Sequence, residues 1–307
     1  MTRLVFTLLF AVLGGLTPQD AISTGGPLPD IRGFNDKVTD REAVSRVSVV
    51  VRRVAGQVYV IAGAGGTVTV FAGSDGILLV DTNFTVFYEP IMAAIRRISD
   101  KPIRFVMNTH SHIDHVQNNA NFARQGAVII STPNLRAAMA SARMDGLPVE
   151  TSSEILTLHF NGEDVLFIPL KPAHTNGDAA VYFRGSDVWS FGDVYRNDYP
   201  SVGESGTNEN FIANYNRALE MTTPNTIFIP GHGQLAKRDD LVALRDAVNT
   251  IRGRFRDMVA RGMTPQQILE ARPSREFDAR FASESQSATT GNTVDRWYRS
   301  LYTEISK

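Results

Sequence analysis

Residues 103–115 read IRFVMNTHSHIDH, and the interpretation of the whole chain starts from this stretch. Its first five residues form the apolar, β-rich run of a buried strand. Three histidines and one aspartate follow within the next eight residues, although the chain has only six histidines in all. Imidazole nitrogens and carboxylate oxygens gathered at the end of a strand are typical ligands of a Zn²⁺ site.

The spacing within this run predicts how its ligands are shared. Alternate residues of an extended segment project to the same side, so His110 and His112 are placed to hold one ion together. Asp114 follows on that side, whereas His115 points another way as the chain turns. The loop therefore predicts two ligands for one metal and two for a second, an arrangement that clamps a substrate oxygen and holds a hydroxide as nucleophile. The alternative is that these are surface or capping histidines.

Three further segments place single candidate ligands at turns. They are PAHTNGD at 172–178 with His174, FGD at 191–193 with Asp193, and PGHG at 230–233 with His232. Each candidate follows an apolar, strand-like run and stands among small or turn-forming residues. His159 lies inside a strand-like run and outside any motif, so we interpret it as a surface or hydrogen-bonded histidine.

With these motifs the chain resembles the metallo-β-lactamase superfamily of hydrolases over about residues 49–241. The H-x-H-x-D-H run is the most specific element, and GILLVDT at 76–82 is similar to the family strand that ends in a structural aspartate, here Asp81. We expect Asp81 to accept a hydrogen bond from a ligand histidine. The resemblance implies two Zn²⁺ per chain, with these ligands: His110, His112 and His174 at the first ion, Asp114, His115 and His232 at the second, and Asp193 as the bridge.

Asp193 and the lack of cysteine narrow the resemblance to one part of the superfamily. Two of the three classes of true metallo-β-lactamase use a cysteine at the second metal, and this chain has none; the third class generally lacks the bridging aspartate. An aspartate at this position resembles the glyoxalase II, lactonase and related ester or thioester hydrolase branches. One departure is the turn after the histidine run, where Gln117, Asn118 and Asn119 stand in place of the Gly-Asn of many relatives.

The resemblance implies a dinuclear zinc-dependent hydrolase that cleaves an ester, lactone, thioester or amide bond of a small-molecule substrate. Metal-activated hydroxide is the expected nucleophile, so no serine or cysteine nucleophile is required. Asp114 is the expected catalytic residue, because in its protonated form it assists the leaving group. Two alternatives stay open: a true β-lactamase that hydrolyses β-lactam antibiotics, and a mononuclear iron dioxygenase that acts on a persulfide.

Composition and charge are those of an ordinary globular enzyme. A chain of 307 residues that is 43% hydrophobic and 21% charged is able to bury a substantial core. Its net charge of −1 gives no electrostatic footprint for nucleic acid or for an anionic membrane. We therefore predict no nucleic-acid partner.

The N-terminal residues 1–21 predict a signal peptide. The first three residues include a basic one, and residues 4–16 are almost wholly apolar, a length that suits a signal-peptide core and is short for a membrane span. We therefore expect export to a bacterial periplasm or beyond, with no stable membrane partner after cleavage. The alternative to a cleaved signal peptide is an uncleaved N-terminal membrane anchor. Residues 22–45 predict an irregular arm and residues 46–307 the hydrolase domain.

Two β-rich blocks with helical segments between them predict the fold class. Predicted strands cover 49–53, 58–61, 67–71, 77–80, 103–107 and 128–130, then 155–160, 164–170, 179–184, 188–191 and 226–229. Predicted helices cover 90–98, 134–144, 209–221, 238–260 and 293–305. Two β blocks with interspersed helices indicate an α/β fold of two facing sheets with helices outside, a four-layer αββα sandwich. The resemblance implies the same architecture.

Overall fold

Two β-sheets and their flanking helices make up the part of the chain that the computed structural model describes, namely residues 22, 26–28, 49–63, 65–203, 205–282 and 293–307. The predicted signal peptide at residues 1–21 lies outside the described residues, as does most of the predicted arm at 22–45. Within the described ranges, no helix combines the length and the apolar character needed to cross a membrane.

The first sheet has seven strands arranged in sequence order. They are β1 (Val50–Ala55), β2 (Val58–Ala62), β3 (Val68–Gly73), β4 (Gly76–Val80), β5 (Ile103–Met107), β6 (Val128–Ser131) and β7 (Glu150–Thr151). The strands β1 to β4 pair antiparallel, whereas β4 to β7 pair parallel. Parallel neighbours need crossover connections. The connections carry α1 (Tyr88–Ile98), α2 (Ile113–Val116), α3 (Asn119–Arg124) and α4 (Pro133–Ser141).

The second sheet has six strands in the order β13-β12-β11-β10-β9-β8. They are β8 (Leu156–Phe160), β9 (Glu163–Pro169), β10 (Ala179–Phe183), β11 (Val188–Ser190), β12 (Ile227–Ile229) and β13 (Ala236–Lys237). Only β11 and β12 pair parallel, and α5 (Asn208–Met221) connects them. The chain ends in α6 (Arg238–Ala260), α7 (Pro265–Ala271), α8 (Arg275–Phe281) and α9 (Thr293–Ile305), of which α7 and α8 were not predicted from the sequence.

Three apolar layers hold the sheets and helices together. Leu78 of β4 and Phe167 of β9 belong to the layer between the two sheets. The next residue of β4, Leu79, points the other way and packs with Ile91 of α1 in the layer outside the first sheet. The helices α5, α6 and α9 cover the outer face of the second sheet. The predicted four-layer αββα sandwich is therefore confirmed, and its strand ends define where the candidate ligands meet.

Candidate metal centre

The candidate ligands lie on loops that follow the carboxyl ends of strands from both sheets. His110 and His112 follow β5, Asp193 follows β11, and His232 follows β12, while His174 lies on the connection from β9 to β10. Parallel strands bring their carboxyl ends to one edge of a sheet, which is where ligands bind in such folds. The structure brings all seven predicted ligands to this edge. Six of them form the two groups that the resemblance implies, and Asp81, His110 and His115 form a third close group.

The first group consists of His110, His112 and His174, whose nearest ring nitrogens lie within 4.8 Å of one another. His174 Nε2 is 3.0 Å from His112 Nδ1. His174 Nδ1 donates to the carbonyl oxygen of Ser201 at 2.6 Å, which leaves Nε2 as the nitrogen with a lone pair. His110 Nε2 is buried, and no described residue hydrogen-bonds to it. Three imidazoles thus face one point with their lone pairs.

The second group consists of Asp114, His115 and His232. Asp114 Oδ2 lies 3.1 Å from His232 Nε2 and 3.7 Å from His115 Nε2. His115 Nδ1 donates to Asp81 Oδ2 at 2.8 Å, so its Nε2 is again the nitrogen that faces the group. This is the hydrogen bond that the sequence predicts for Asp81. The same carboxylate accepts from the backbone N–H of Thr109 at 2.8 Å and ties the histidine run to the end of β4.

Asp193 stands between the two groups and faces both. Its Oδ1 is 3.3 Å from His115 Nε2 and 3.5 Å from His232 Nε2, while its Oδ2 is 3.4 Å from His174 Nε2. The side chain is buried, and Oδ1 has no hydrogen-bond partner among the described residues. A buried carboxylate oxygen without a hydrogen bond is costly unless a cation compensates it. One oxygen of Asp193 is therefore available to each group.

Burial sets the charge of the first group. It lowers the pKa of His110 and of His112, and it lowers the pKa of His174 to about 3. At neutral pH these three imidazoles are uncharged, which is the form that binds a metal.

The second group is rich in negative charge. Burial opposes the charged carboxylates, but neighbouring His115 and His232 hold the pKa of Asp114 and of Asp193 below the usual range. Burial also opposes a charged His115, yet Asp114, Asp81 and Asp193 raise its pKa well above the ordinary value. The carboxylates that stabilise a proton on His115 also stabilise a metal cation bound in place of that proton. The buried nitrogen and oxygen donors therefore fit a pair of divalent ions.

The residues that follow Asp193 have different roles in the structure. Arg196 Nη1 lies 3.4 Å from Asp193 Oδ2 and its side chain is partly exposed, so it borders the site. Tyr195 is buried in the core beneath it, and its hydroxyl accepts from Asn197 Nδ2 at 3.2 Å. Asn197 Oδ1 accepts from the backbone N–H of Gln234 at 2.6 Å and joins the loop of Asp193 to the loop of His232.

Part of the predicted N-terminal arm also reaches this edge. The backbone N–H of Leu28 donates to Gln234 Oε1 at 2.7 Å, and Gln234 Nε2 donates to the carbonyl oxygen of Leu28 at 2.7 Å. The side chain of Leu28 is buried in the layer between the sheets, and the carbonyl oxygen of Gly26 accepts from Arg52. This contact could not be predicted from the sequence, because a side-chain amide that pairs with distant backbone has no local pattern.

Gly231 is required where the loops of Asp193 and His232 touch. A Cβ at this position would meet the Asp193 carboxylate and would lie 2.6 Å from the carbonyl carbon of Gly192 and 2.8 Å from the backbone nitrogen of Asp193. We expect Gly231→Ala to lower the free energy of unfolding by about 1–3 kcal/mol, because backbone has to move. Gly253→Ala on α6 is the control: its Cβ meets nothing within 4 Å, and it should stabilise by about 0.5–1 kcal/mol. Urea unfolding measures both, and equal midpoints for the two variants would contradict the close contact at Gly231.

Comparisons with known proteins find one similar sequence and several solved structures with a similar fold. The 2,4-dinitroanisole O-demethylase subunit alpha of Nocardioides sp. (strain JS1661) is 26% identical over 203 residues, which are 62% of this chain and 60% of that protein. A double mutant of the sec-alkyl sulfatase PisA1 has a similar fold, with a TM-score of 0.62 and 15% identity over 84% of this chain and 50% of its own. The metallo-beta-lactamase from Pontibacter korlensis matches with a TM-score of 0.58 and 15% identity over 64% of this chain and 99% of its own.

This chain thus spans 60% of the length of the curated relative and half of the PisA1 chain. The sequence pattern of the metallo-beta-lactamase superfamily matches residues 61–232, which is more than half of the chain and includes all seven candidate ligands. The protein belongs to the metallo-beta-lactamase superfamily.

Proposed function

We propose that this chain is a dinuclear zinc hydrolase that cleaves an ester, lactone, thioester or amide bond in a small-molecule substrate. The observation that carries the proposal is the position of Asp193, with one oxygen 3.3 Å from His115 Nε2 and the other 3.4 Å from His174 Nε2. A carboxylate in this position is able to offer one oxygen to each of two ions. Imidazole and carboxylate donors without thiolate are compatible with Zn²⁺. The proposed ligands are His110, His112 and His174 for the first ion, Asp114, His115 and His232 for the second, and Asp193 for both.

When bound, a zinc pair supplies Lewis-acid polarisation of the substrate oxygen and lowers the pKa of water to near neutrality. The chain supplies orientation, since the Ser201 carbonyl and the Asp81 carboxylate each accept from the Nδ1–H of a ligand histidine. Asp114 is the proposed catalytic residue, because its side chain is 19% exposed whereas that of Asp193 is 4% exposed. Its Oδ2 faces His232, so the other oxygen is the one to carry a proton from the attacking water to the leaving group.

The ligand set is the basis for our ranking of the substrate classes by expected rate of cleavage. This chain has no cysteine and carries an aspartate between the two groups, which favours ester, lactone or thioester cleavage over β-lactam cleavage. The names of two similar proteins suggest two further substrates to test. One protein is named for O-demethylation of 2,4-dinitroanisole, and the other is named a sec-alkyl sulfatase. 2,4-Dinitroanisole is an ether and an alkyl sulfate is a sulfate ester, so both lie outside the acyl compounds proposed here and are tested as alternatives.

A substrate panel tests the proposal. We expect zinc-dependent turnover of an activated ester, a simple lactone or a glutathione thioester, with weaker turnover of the β-lactam nitrocefin; 2,4-dinitroanisole and a secondary alkyl sulfate complete the panel. A chelator should abolish the activity and added Zn²⁺ should restore it. Efficient cleavage of nitrocefin with no turnover of the others would make the protein a β-lactamase. Activity that resists the chelator, or one iron per chain in protein purified without added metal, would contradict a zinc hydrolase.

We also propose that the protein is exported to the periplasm or secreted, on the strength of the apolar run at residues 4–16. Protein recovered from the native host should then lack an N-terminal segment of about 15–25 residues, which leaves Leu28 in place beside Gln234. Intact-mass measurement decides the question, and a chain that still begins at Met1 or Thr2 would contradict cleavage.

A further inference from the structure

Residues 199–203 and 205–208, called here the 199–208 segment, pack over the loop that carries His174. Its Ser201 carbonyl accepts the Nδ1–H of His174 at 2.6 Å. A Cβ at Gly203 or Gly206 of this segment would collide with the carbonyl oxygen of His174 or of Ala173, so the backbones are in close contact. The position of this segment therefore fixes where His174 Nε2 points.

One side chain of α9, Trp297, contacts both ends of the 199–208 segment. Its ring stacks on Tyr199, with ring centroids 4.3 Å apart and an interplanar angle of 13°. Its indole N–H donates to Asn208 Oδ1 at 2.6 Å. Trp297 is 2% exposed and Asn208 is fully buried, so water does not compete for these contacts. The start and the end of the segment are tied to the same ring.

Neighbouring groups of α8 and α9 reinforce both ends. The hydroxyl of Tyr199 donates to Asp278 Oδ1 at 2.9 Å, and the backbone N–H of Tyr199 donates to the carbonyl oxygen of Phe281 at 3.1 Å. At the other end, the backbone N–H of Asn208 donates to Glu304 Oε2 at 2.6 Å. These helices lie beyond residues 61–232, the part of the chain that matches the superfamily. The 199–208 segment is the part of the chain that links these contacts to the Ser201 carbonyl.

We propose that Trp297 is a positioning residue for the candidate metal centre. By holding both ends of the 199–208 segment, it keeps the Ser201 carbonyl against His174 and fixes the tautomer that directs Nε2 toward the first group. This inference rests on the proposed function, since it gives His174 a metal to bind. If the hydrogen bond is lost, the imidazole is free to exchange tautomers and to rotate, and the first site loses affinity. Loss of such a partner of a ligand histidine costs about 10–100-fold in metal affinity.

Zinc titration of the full chain tests the proposal. Trp297→Phe keeps a ring against Tyr199 and removes the indole N–H, so we expect the affinity of the first site for Zn²⁺ to fall about tenfold. Trp297→Leu also removes the stacking, and we expect a fall of about 100-fold. Tyr199→Phe, which keeps its ring and loses the bond to Asp278, is the milder variant if Trp297→Leu does not fold. Phe183→Leu is the control for general destabilisation, because Phe183 lies in the layer between the sheets.

A second measurement reads the hydrogen bond in metal-free protein. In histidine labelled with ¹⁵N, the Nδ1–H of His174 should give a downfield proton signal that exchanges slowly with water, assigned by its loss in His174→Gln. The signal should weaken or disappear in the Trp297 variants and persist in Phe183→Leu. Zinc binding and a proton signal that both match the wild type in both Trp297 variants would overturn the proposal. If the wild type itself binds no Zn²⁺, the proposed function fails, while the proton signal still decides whether Trp297 holds Ser201 against His174.

Discussion

Replacing His110 by alanine should lower the rate of hydrolysis by about a thousandfold or more on the best substrate of the panel. His110 supplies a buried Nε2 to the first group, which has three histidines. With one of them gone, the first ion is bound weakly, and its polarisation of the substrate is lost. That polarisation is worth several kcal/mol, and about 1.36 kcal/mol corresponds to a factor of ten in rate. Steady-state kinetics with saturating Zn²⁺ gives the ratio of kcat/KM.

His159→Ala is the matched control for this experiment. The side chain of His159 is 82% exposed, and its Nδ1 donates to Asp164 at 2.7 Å, as expected for a surface histidine. We expect its rate to stay within about twofold of the wild type, since exposed substitutions away from the site change little. Circular dichroism should give the same spectrum for both variants. A His110→Ala protein that keeps more than about a tenth of the wild-type rate would remove His110 from the proposed centre.

Asp193→Ala should reduce the zinc content from two ions per chain to about one. Asp193 Oδ1 faces both His115 and His232, so the second site loses a shared oxygen and a negative charge together. The first site loses the oxygen near His174 but keeps three imidazoles. We expect at least about a 100-fold loss of affinity at the second site, because a ligand and its charge are both removed. Equilibrium dialysis with elemental analysis measures both the stoichiometry and the affinity.

Asp193→Asn separates the shape of this residue from its charge. The amide keeps one oxygen in a side chain of nearly the same size, so we expect a zinc affinity between those of the alanine variant and the wild type. Thermal unfolding of the metal-free proteins checks that the fold is retained. Two tightly bound ions together with unchanged activity in Asp193→Ala would contradict the bridging position.

Much of the fold could be predicted from local sequence patterns, and the two ligand groups could be predicted from the family resemblance that the motifs carry. Residues Ile103–Met107 form the predicted strand before the histidine run, and the long helix Arg238–Ala260 has the predicted bounds. His110 and His112 project to one side, as alternate residues do, and meet His174, while Asp114 and His115 turn toward His232. These histidines and aspartates are residue types that bind metals, and they stand at predicted turns. They could therefore be identified as candidate ligands from the sequence.

Contacts made by backbone atoms and by distant residues were not predictable in this way. Ser201 acts through its carbonyl oxygen, a group that every residue has, so the sequence does not single it out. The bond between Trp297 and Asn208 spans 89 positions of sequence, so no local pattern indicates it. The helix Pro265–Ala271 is short, with a single buried residue, Ile268, so its apolar periodicity is too weak to detect.

The paired hydrogen bonds between Leu28 and Gln234 have a consequence for how the protein is produced. Leu28 contributes a buried side chain and two backbone bonds next to the loop of His232, so Gly26 to Leu28 belong to the folded enzyme. Any leader that is removed must therefore end before Gly26, which is compatible with cleavage near Ala21. For recombinant expression, a chain that starts at Gly26 retains these contacts. A chain that starts at Asp30 loses them, and an affinity tag fused there would not replace Leu28 beside Gln234.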